Sequence, residues 1–430
     1  MNVNDLCQPR SGHGLQAMMR RWETQHPVNA MQIARLNRAV SMGTACAAAD
    51  RVFRRLVPGS LQSLFDFSYQ PFVGDWRAVL EDAVTEELNR PYDETAPPWR
   101  LTLFESPRDG QFLALGYRHI IADARSTVLV LHEIVRQMLV PSTRLRGFEA
   151  EIRRESLRDL YPEEFRWGRL PSIVGNNLAE LWASRRAFRA PGTGSTDLRM
   201  EFGIHDVDLT PAGLKATARR YDATVNDLVF AAILEWLTRR FPLADRGRRP
   251  DLSVAVLADL SSRADIPLPR AFGQYLSQFA IRLPVAADTP FNEIVGQAAR
   301  CSQAAKKSSR LVGAAHAFDT LSKFWDWLPF IRRPGFLPAL IPLLAGVSNV
   351  HVGSIVSDPL LQTAIRSYLR GTCVTNVLPM MLSLTSVGDH CTLTTTHRPT
   401  VFSREEMQDL AAHVGERLAS PARIALPVAA

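Results

Sequence analysis

Lysine is almost missing from this sequence: Lys215, Lys306, Lys307 and Lys323 stand against 46 arginines. Such a bias marks a GC-rich genome rather than an adaptation to phosphate. The arginines are spread along the chain, and the densest run, Arg246-Gly247-Arg248-Arg249, reads as a loop. The net charge of +7 (50 basic against 43 acidic residues) is therefore not read as a nucleic-acid footprint, although it suits an acidic partner. Cysteine is scarce too. Cys7, Cys46, Cys301, Cys373 and Cys391 are odd in number and contain no C-x-x-C pair, which argues against a disulfide framework and a zinc site and fits a reducing cytoplasm. Long apolar runs are absent: Pro334 to Val347 is broken by prolines, whereas a membrane span needs about 20 apolar residues. Met1-Asn2-Val3-Asn4-Asp5 has no basic region leading into an apolar run, so no secretory leader is expected. There is no G-x-S-x-G, Walker A or H-E-x-x-H pattern, and Gly12-His13-Gly14 lacks the preceding strand of a dinucleotide loop.

What is present is ordinary globular composition, 46% hydrophobic and 22% charged over 430 residues, enough for two domains or one two-lobed body. Helical and strand patterns alternate. Leu15–Trp22, Thr44–Leu56, Trp76–Leu88, Pro211–Tyr221, Thr224–Phe241, Phe291–Arg310 and Arg404–Leu418 read as helices. Asn29–Leu36, Arg100–Glu105, Phe112–Tyr117, Ser253–Leu257, Ser277–Leu283, Val374–Ser386 and Cys391–Thr396 read as strands. A further helix is expected from about Ser126, as its cap, to Met138. The small-residue stretch Ala190-Pro191-Gly192-Thr193-Gly194-Ser195 is the best boundary, dividing 1–189 from 190–430. Mixed α/β layers are expected in both halves.

The candidate chemistry lies in Tyr117-Arg118-His119-Ile120-Ile121-Ala122-Asp123. A strand would deliver His119 at its exposed end, and the following turn would carry Asp123. A neutral imidazole can take a proton from a hydroxyl or amine as that group attacks a carbonyl. The carboxylate either orients it or holds the turn through an arginine. Spacing alone carries no weight: with ten histidines and 43 acidic residues in 430, about one H-x-x-x-[DE] match arises by chance, and one is found.

Context adds more. Leu88-Asn89-Arg90-Pro91-Tyr92-Asp93, then Pro98-Trp99-Arg100-Leu101-Thr102-Leu103-Phe104, then the strand into His119, resemble the condensation-domain and CoA-dependent acyltransferase superfamily. That superfamily takes in chloramphenicol acetyltransferase, polyketide-associated acyltransferases, wax ester synthase/diacylglycerol acyltransferases and nonribosomal peptide condensation domains. Its H-H-x-x-x-D-G signature places the catalytic histidine at His119 and the aspartate at Asp123. Further resemblances follow in order: Trp22-Glu23-Thr24 with His26-Pro27, Asn226-Asp227 opening an apolar helix, Gly273 in Phe272-Gly273-Gln274-Tyr275, Ser348-Asn349, and Leu382-Ser383-Leu384-Thr385-Ser386. The wax ester synthase and polyketide-associated branches are the nearest. Two positions depart from the signature: Arg118 stands for the first histidine and Ala124 for the glycine. A cation beside His119 disfavours imidazolium, which either keeps the base neutral or impairs it. Ala124 removes the freedom of positive φ at the turn.

The resemblance implies two chloramphenicol-acetyltransferase-like lobes forming a V, with His119 in a tunnel between them and Asp123 and Arg118 in support. It implies a thioester donor, acyl-CoA or an acyl-carrier protein, presenting its phosphopantetheine arm, and an alcohol or amine acceptor. It implies no metal and no bound cofactor. A standalone cytoplasmic acyltransferase of natural-product or lipid biosynthesis is the expected function. The competing expectation is a degenerate condensation-like module that binds a carrier protein. Ser348 and Asn349 either donate hydrogen bonds near the reacting carbonyl or merely end a strand, and Asn226-Asp227 is either a helix-terminal device or a substrate contact. Trp325, Trp327 and Phe336–Leu344 either line an acyl channel, touch a membrane or fill a core.

Overall fold

The computed structural model describes residues 14–57, 60, 63–93, 95–141, 161–163, 166–260, 272–307 and 310–419. The first half runs α1 (Gly14–Trp22), β1 (Asn29–Leu36), α2 (Met42–Leu56), β2 (Phe65–Pro71), α3 (Trp76–Asn89), β3 (Trp99–Ser106), β4 (Gly110–Arg118), α4 (Ala124–Leu139) and α5 (Leu170–Ser184). Next come β5 (Glu201–His205), α6 (Pro211–Arg220), α7 (Val225–Arg240), β6 (Leu252–Asp259), β7 (Leu276–Leu283), α8 (Phe291–Lys307), α9 (Arg310–Phe324) and α10 (Phe336–Leu340). The chain then closes through β8 (Ala345–His351), β9 (Ile365–Thr372), β10 (Met380–Val387), β11 (His390–His397) and α11 (Arg404–Ala419).

Two sheets organise these elements. The first has the order β2-β3-β4-β1-β9 and the second β5-β11-β10-β8-β6-β7. β4 is central and buried on both faces from Gln111 onward, which its apolar run Phe112-Leu113-Ala114-Leu115 dictates. In α2 the apolar positions Ala45, Ala48, Ala49, Val52, Phe53 and Leu56 form one stripe, and all six are buried. One core surrounds the first sheet and draws in Phe272, Phe318 and Leu337 from the second half. The other fills the second sheet against α7, α8 and α11. The fold is thus mixed α/β in both halves.

Several sequence expectations need correction. The cap of α4 is Asp123, whose Oδ1 accepts the Ser126 N–H, so Ser126 lies inside the helix. Of the helical pattern from Phe291 to Arg310, α8 covers Phe291–Lys307 and α9 begins at Arg310; residues 308 and 309 lie outside the described residues. The strand expected from Val374 starts at Met380, because Thr375 Oγ1 and the Leu378 carbonyl are used in a turn before it. β2 and β9 lie outside the expected strands. β2 is a short, mostly exposed edge strand in which Phe65, Phe67 and Tyr69 alternate with polar residues, and β9 carries Arg366, Arg370 and Gly371 in place of an apolar run. β9 matters most, since it lies beyond residue 190 yet pairs with β1 and completes the sheet that carries His119. Within the run 246–249 expected as a loop, Arg246 ends a short 3-10 turn and is buried, and its guanidinium donates to the carbonyls of Phe241, Pro250 and Val285.

Gly14 opens α1, while Gly12, His13 and Cys7 lie outside the described residues. A Cβ on Gly14 would stand 1.8 Å from the Ala315 carbonyl oxygen, so only glycine lets α1 close onto α9. These two helices come from opposite halves of the chain and wall the cavity described next.

Candidate active site

β4 ends at Arg118, and the chain turns through His119 to Asp123 into α4. The His119 N–H donates to the Val28 carbonyl at 2.8 Å, and the Ile121 N–H to the Arg118 carbonyl at 3.1 Å, which fixes the turn. His119 is only 7% exposed; the strand end that bears it is buried, not open as expected. Its Nδ1 lies 3.0 Å from the Ala122 carbonyl oxygen. A carbonyl can only accept, so Nδ1 carries the proton and Nε2 keeps its lone pair. Burial holds the imidazole pKa below the usual histidine value; the Ala122 carbonyl opposes this and the Arg370 guanidinium reinforces it. The resting ring is therefore a neutral base with one defined tautomer.

The supports of this turn come from both halves of the chain. Asp123 Oδ2 accepts the Tyr275 N–H at 3.0 Å, and the Asp123 N–H donates to the Gly273 carbonyl at 2.9 Å. Ser126 Oγ donates to the same carbonyl and accepts the Gly273 N–H. Gln274 Nε2 donates to the His119 carbonyl at 2.9 Å, and Gln16 Nε2 to that of Ile120 at 2.7 Å. Among the described residues Asp123 has no arginine partner, which corrects the expected ion pair. Its carboxylate is a helix cap and a tie to the second half. Burial and the Asp259 charge push its pKa up to about 6, against the pull of the Ser126 and Tyr275 N–H groups. Arg118 is buried and bonds to Glu23 through both Nε and Nη2. It lies outside the cavity wall that includes His119.

His119 borders a cavity of about 70 Å³ whose other walls are almost wholly apolar, among them Met19, Trp22, Leu276, Phe318 and Leu343. A second cavity of about 230 Å³ follows, and the two share Gln278, Phe318, Leu321, Ile341 and Leu343. Of the stretch 336–344, Leu337, Ile341 and Leu343 face the first cavity. Trp325 is buried in the core and Trp327 is 82% exposed.

The remaining candidates fall elsewhere. Asn226, at the start of α7, accepts from Asn349 Nδ2 at 2.8 Å through its Oδ1, so the tertiary structure joins these two motifs at an exposed place. Asp227 completes a capping box with Thr224. The Ser348 hydroxyl and carbonyl both accept from Arg370. Gly273 uses its main chain to hold Asp123 and Ser126. None of these five borders the His119 cavity. Arg370 is the residue that sequence reading missed. It sits buried on β9, bonds across to the second sheet at Ser348, Leu384 and Thr385, and has its pKa lowered by burial to about 10. No motif flags it. Among the described residues no group of three or more His, Cys, Asp or Glu converges as metal ligands do, and Cys46, Cys373 and Cys391 are free thiols.

This chain shares its fold with condensation domains and with an O-acetyltransferase, and His119 lies at a buried strand end. The first condensation domain of the calcium-dependent antibiotic synthetase superposes with a TM-score of 0.65 at 12% identity, covering 96% of this chain and 97% of that one. Trichothecene 15-O-acetyltransferase from Fusarium sporotrichioides gives a TM-score of 0.63 at 11% identity and 95% coverage of both chains. In sequence the chain is 25% identical over 266 residues to a protein named as a probable diacylglycerol O-acyltransferase of Mycobacterium tuberculosis. That match covers 58% of this chain and 55% of the relative, so the chain spans about half the length of the curated relatives it matches. No family model matches. No described helix is long and apolar enough to cross a membrane.

Proposed function

We propose that this protein is an acyltransferase that moves an acyl group from a thioester to an alcohol. The observation that carries this reading is the Nδ1–Ala122 hydrogen bond, which leaves Nε2 of His119 as a proton acceptor at the wall of an apolar cavity. Nε2 takes the proton of the acceptor hydroxyl while its oxygen attacks the thioester carbonyl. As the tetrahedral intermediate collapses, the C–S bond breaks and the imidazolium returns the proton to the departing sulfur. The products are an ester and a free thiol, with no acyl-enzyme. The names of the curated relative and of the Fusarium neighbour, both O-acyltransferases, favour an alcohol over an amine.

The donor is acyl-CoA or an acyl-carrier protein, and the apolar walls favour a hydrocarbon acyl chain. His119 acts as the base; Asp123 and Arg118 act structurally, through the α4 cap and the Glu23 ion pair. A second reading, a carrier-binding module without catalysis, rests on Arg118 and Ala124 in place of the signature histidine and glycine. One screen separates the two: acyl-CoAs of graded length with alcohols and amines, read by thiol release and product mass. Ester formation that needs Nε2 of His119 supports the first reading. Carrier-protein binding without thiol release supports the second.

A further inference from the structure

The face of β7 that carries Leu276, Gln278, Ala280 and Arg282 forms a continuous floor beneath both cavities. Leu276 borders only the one with His119, Gln278 borders both, and Ala280 and Arg282 border only the far one. The neighbouring strand β6 repeats the order, with Leu257 opposite Gln278 and Ala255 opposite Ala280. Residues two apart share a face and lie about 7 Å from each other, so the floor runs roughly 20 Å from Leu276 to Arg282. At its outer end Arg282 bonds to Glu180 and Ser184. The roof is α9, whose Ala314, Ala317, Phe318 and Leu321 recur at helical spacing.

Gln278 is the polar residue at the junction of the two cavities, and its side-chain amide makes no hydrogen bond to any described group. Its neighbours Phe318, Leu321, Ile341 and Leu343 offer none. A plain alkyl chain drawn past it would strip its water and leave the amide unpaired, whereas a chain bearing an oxygen there would replace that water.

We propose that Gln278 is a specificity-determining residue that recognises a hydrogen-bonding oxygen, such as a hydroxyl, keto or ester carbonyl, set part-way along an otherwise apolar substrate chain in this passage. The proposal rests on the acyl-transfer reading for the direction in which the chain lies, with its reacting end at His119. Plain chains of equal length are the disfavoured substrates. The chain belongs either to the acyl donor or to the alcohol acceptor, and the chemistry that Gln278 reads is the same in both.

The test is a position scan. Monohydroxy fatty acids of one length, with the hydroxyl moved along the chain, are titrated into the intact protein by calorimetry. We expect affinity to peak at one internal position, roughly tenfold above the unsubstituted acid. The peak disappears in Gln278→Leu, which keeps the volume and removes the amide, while the unsubstituted acid binds at least as well. Affinity independent of hydroxyl position, or a peak that survives Gln278→Leu, overturns the proposal. Because this readout involves no turnover, a protein that shows the peak but transfers no acyl group would defeat the catalytic reading alone. Repeating the scan in kcat/KM, with the chains as thioester donors and then as diol acceptors, identifies the occupant. A peak in either series supports the assignment, and a flat response in both rejects it.

Discussion

Arg118 and Glu23 form a two-bonded ion pair, Nε to Oε1 at 2.9 Å and Nη2 to Oε2 at 2.6 Å, one residue before the histidine of the site. The pair ties the end of β4 to the segment following α1, whose Met19 and Trp22 wall the cavity. The arginine that replaces the signature's first histidine is thus neutralised by a carboxylate, and its cost to the imidazole next door is correspondingly reduced. Arg118→Ala should lower unfolding free energy by about 2–4 kcal/mol; the loss stays below the usual figure for a broken buried pair because Arg20 also bonds to Glu23. Urea unfolding of Arg118→Ala, Glu23→Gln and the double variant checks this. Additive losses would mean that the pair contributes no coupling.

With His119 as the proposed base, its imidazole should set the acid limb of the reaction. Its pKa lies below the ordinary value of 6.5, so the base form predominates above that pH and is titrated away below it. The kcat/KM profile should be flat through neutrality and fall with one proton uptake at a pH below 6.5. His119→Ala should lower kcat/KM by about 10²–10⁴-fold with little change in melting temperature. Near-normal turnover in that folded variant would remove the imidazole from the mechanism.

Asp123 is expected to behave as a cap rather than as one half of a salt bridge. Asp123→Ala gives up the Ser126 and Tyr275 hydrogen bonds and should cost about 1–3 kcal/mol. Asp123→Asn keeps an oxygen for Ser126 but presents N–H to N–H at Tyr275, so it should retain most of the helix cap and lose the tie between the halves. Thermal unfolding should rank the proteins wild type, then Asn, then Ala.

Acid should destabilise the protein between neutrality and pH 4. Burial lowers the pKa of His132, His205 and His397 to about 4 each. Their neutral forms stabilise the fold above 6.5, and that contribution is lost as pH falls towards 4, about 2–3 kcal/mol for each. Asp123 acts in the opposite sense. Its raised pKa of about 6 adds about 3 kcal/mol at low pH, which is lost as pH rises through 6. Three groups outweigh one, so stability should fall on acidification by several kcal/mol. Denaturant midpoints from pH 7.0 to 4.5, with His132→Leu flattening the slope, are the check.

The site was legible where its cause is local. An apolar strand, a turn at Ala122-Asp123 and a helical period after it place His119 and Asp123 without any tertiary information. The same holds for Thr210 and Thr224 as caps and for the alternation that gives β7 two faces. The partners of these residues were not legible. Asp123 was expected to meet an arginine and instead caps α4 and accepts from Tyr275, 152 residues away. Ser348 and Asn349 were possible donors to a carbonyl; one is occupied by Arg370 and the other by Asn226.

The sequence by itself determined the α/β alternation and most element boundaries to within a few residues, because side-chain period and capping act over a few residues; it singled out His119 only through the resemblance of its motifs. Only the tertiary structure decided that β9 leaves the second half to complete the first sheet, that Gly14 brings α1 against α9, and that Gln278 on β7 borders both cavities. Alternation along a strand says which side chains share a face. What that face meets depends on elements far away in the chain, and no local period encodes it.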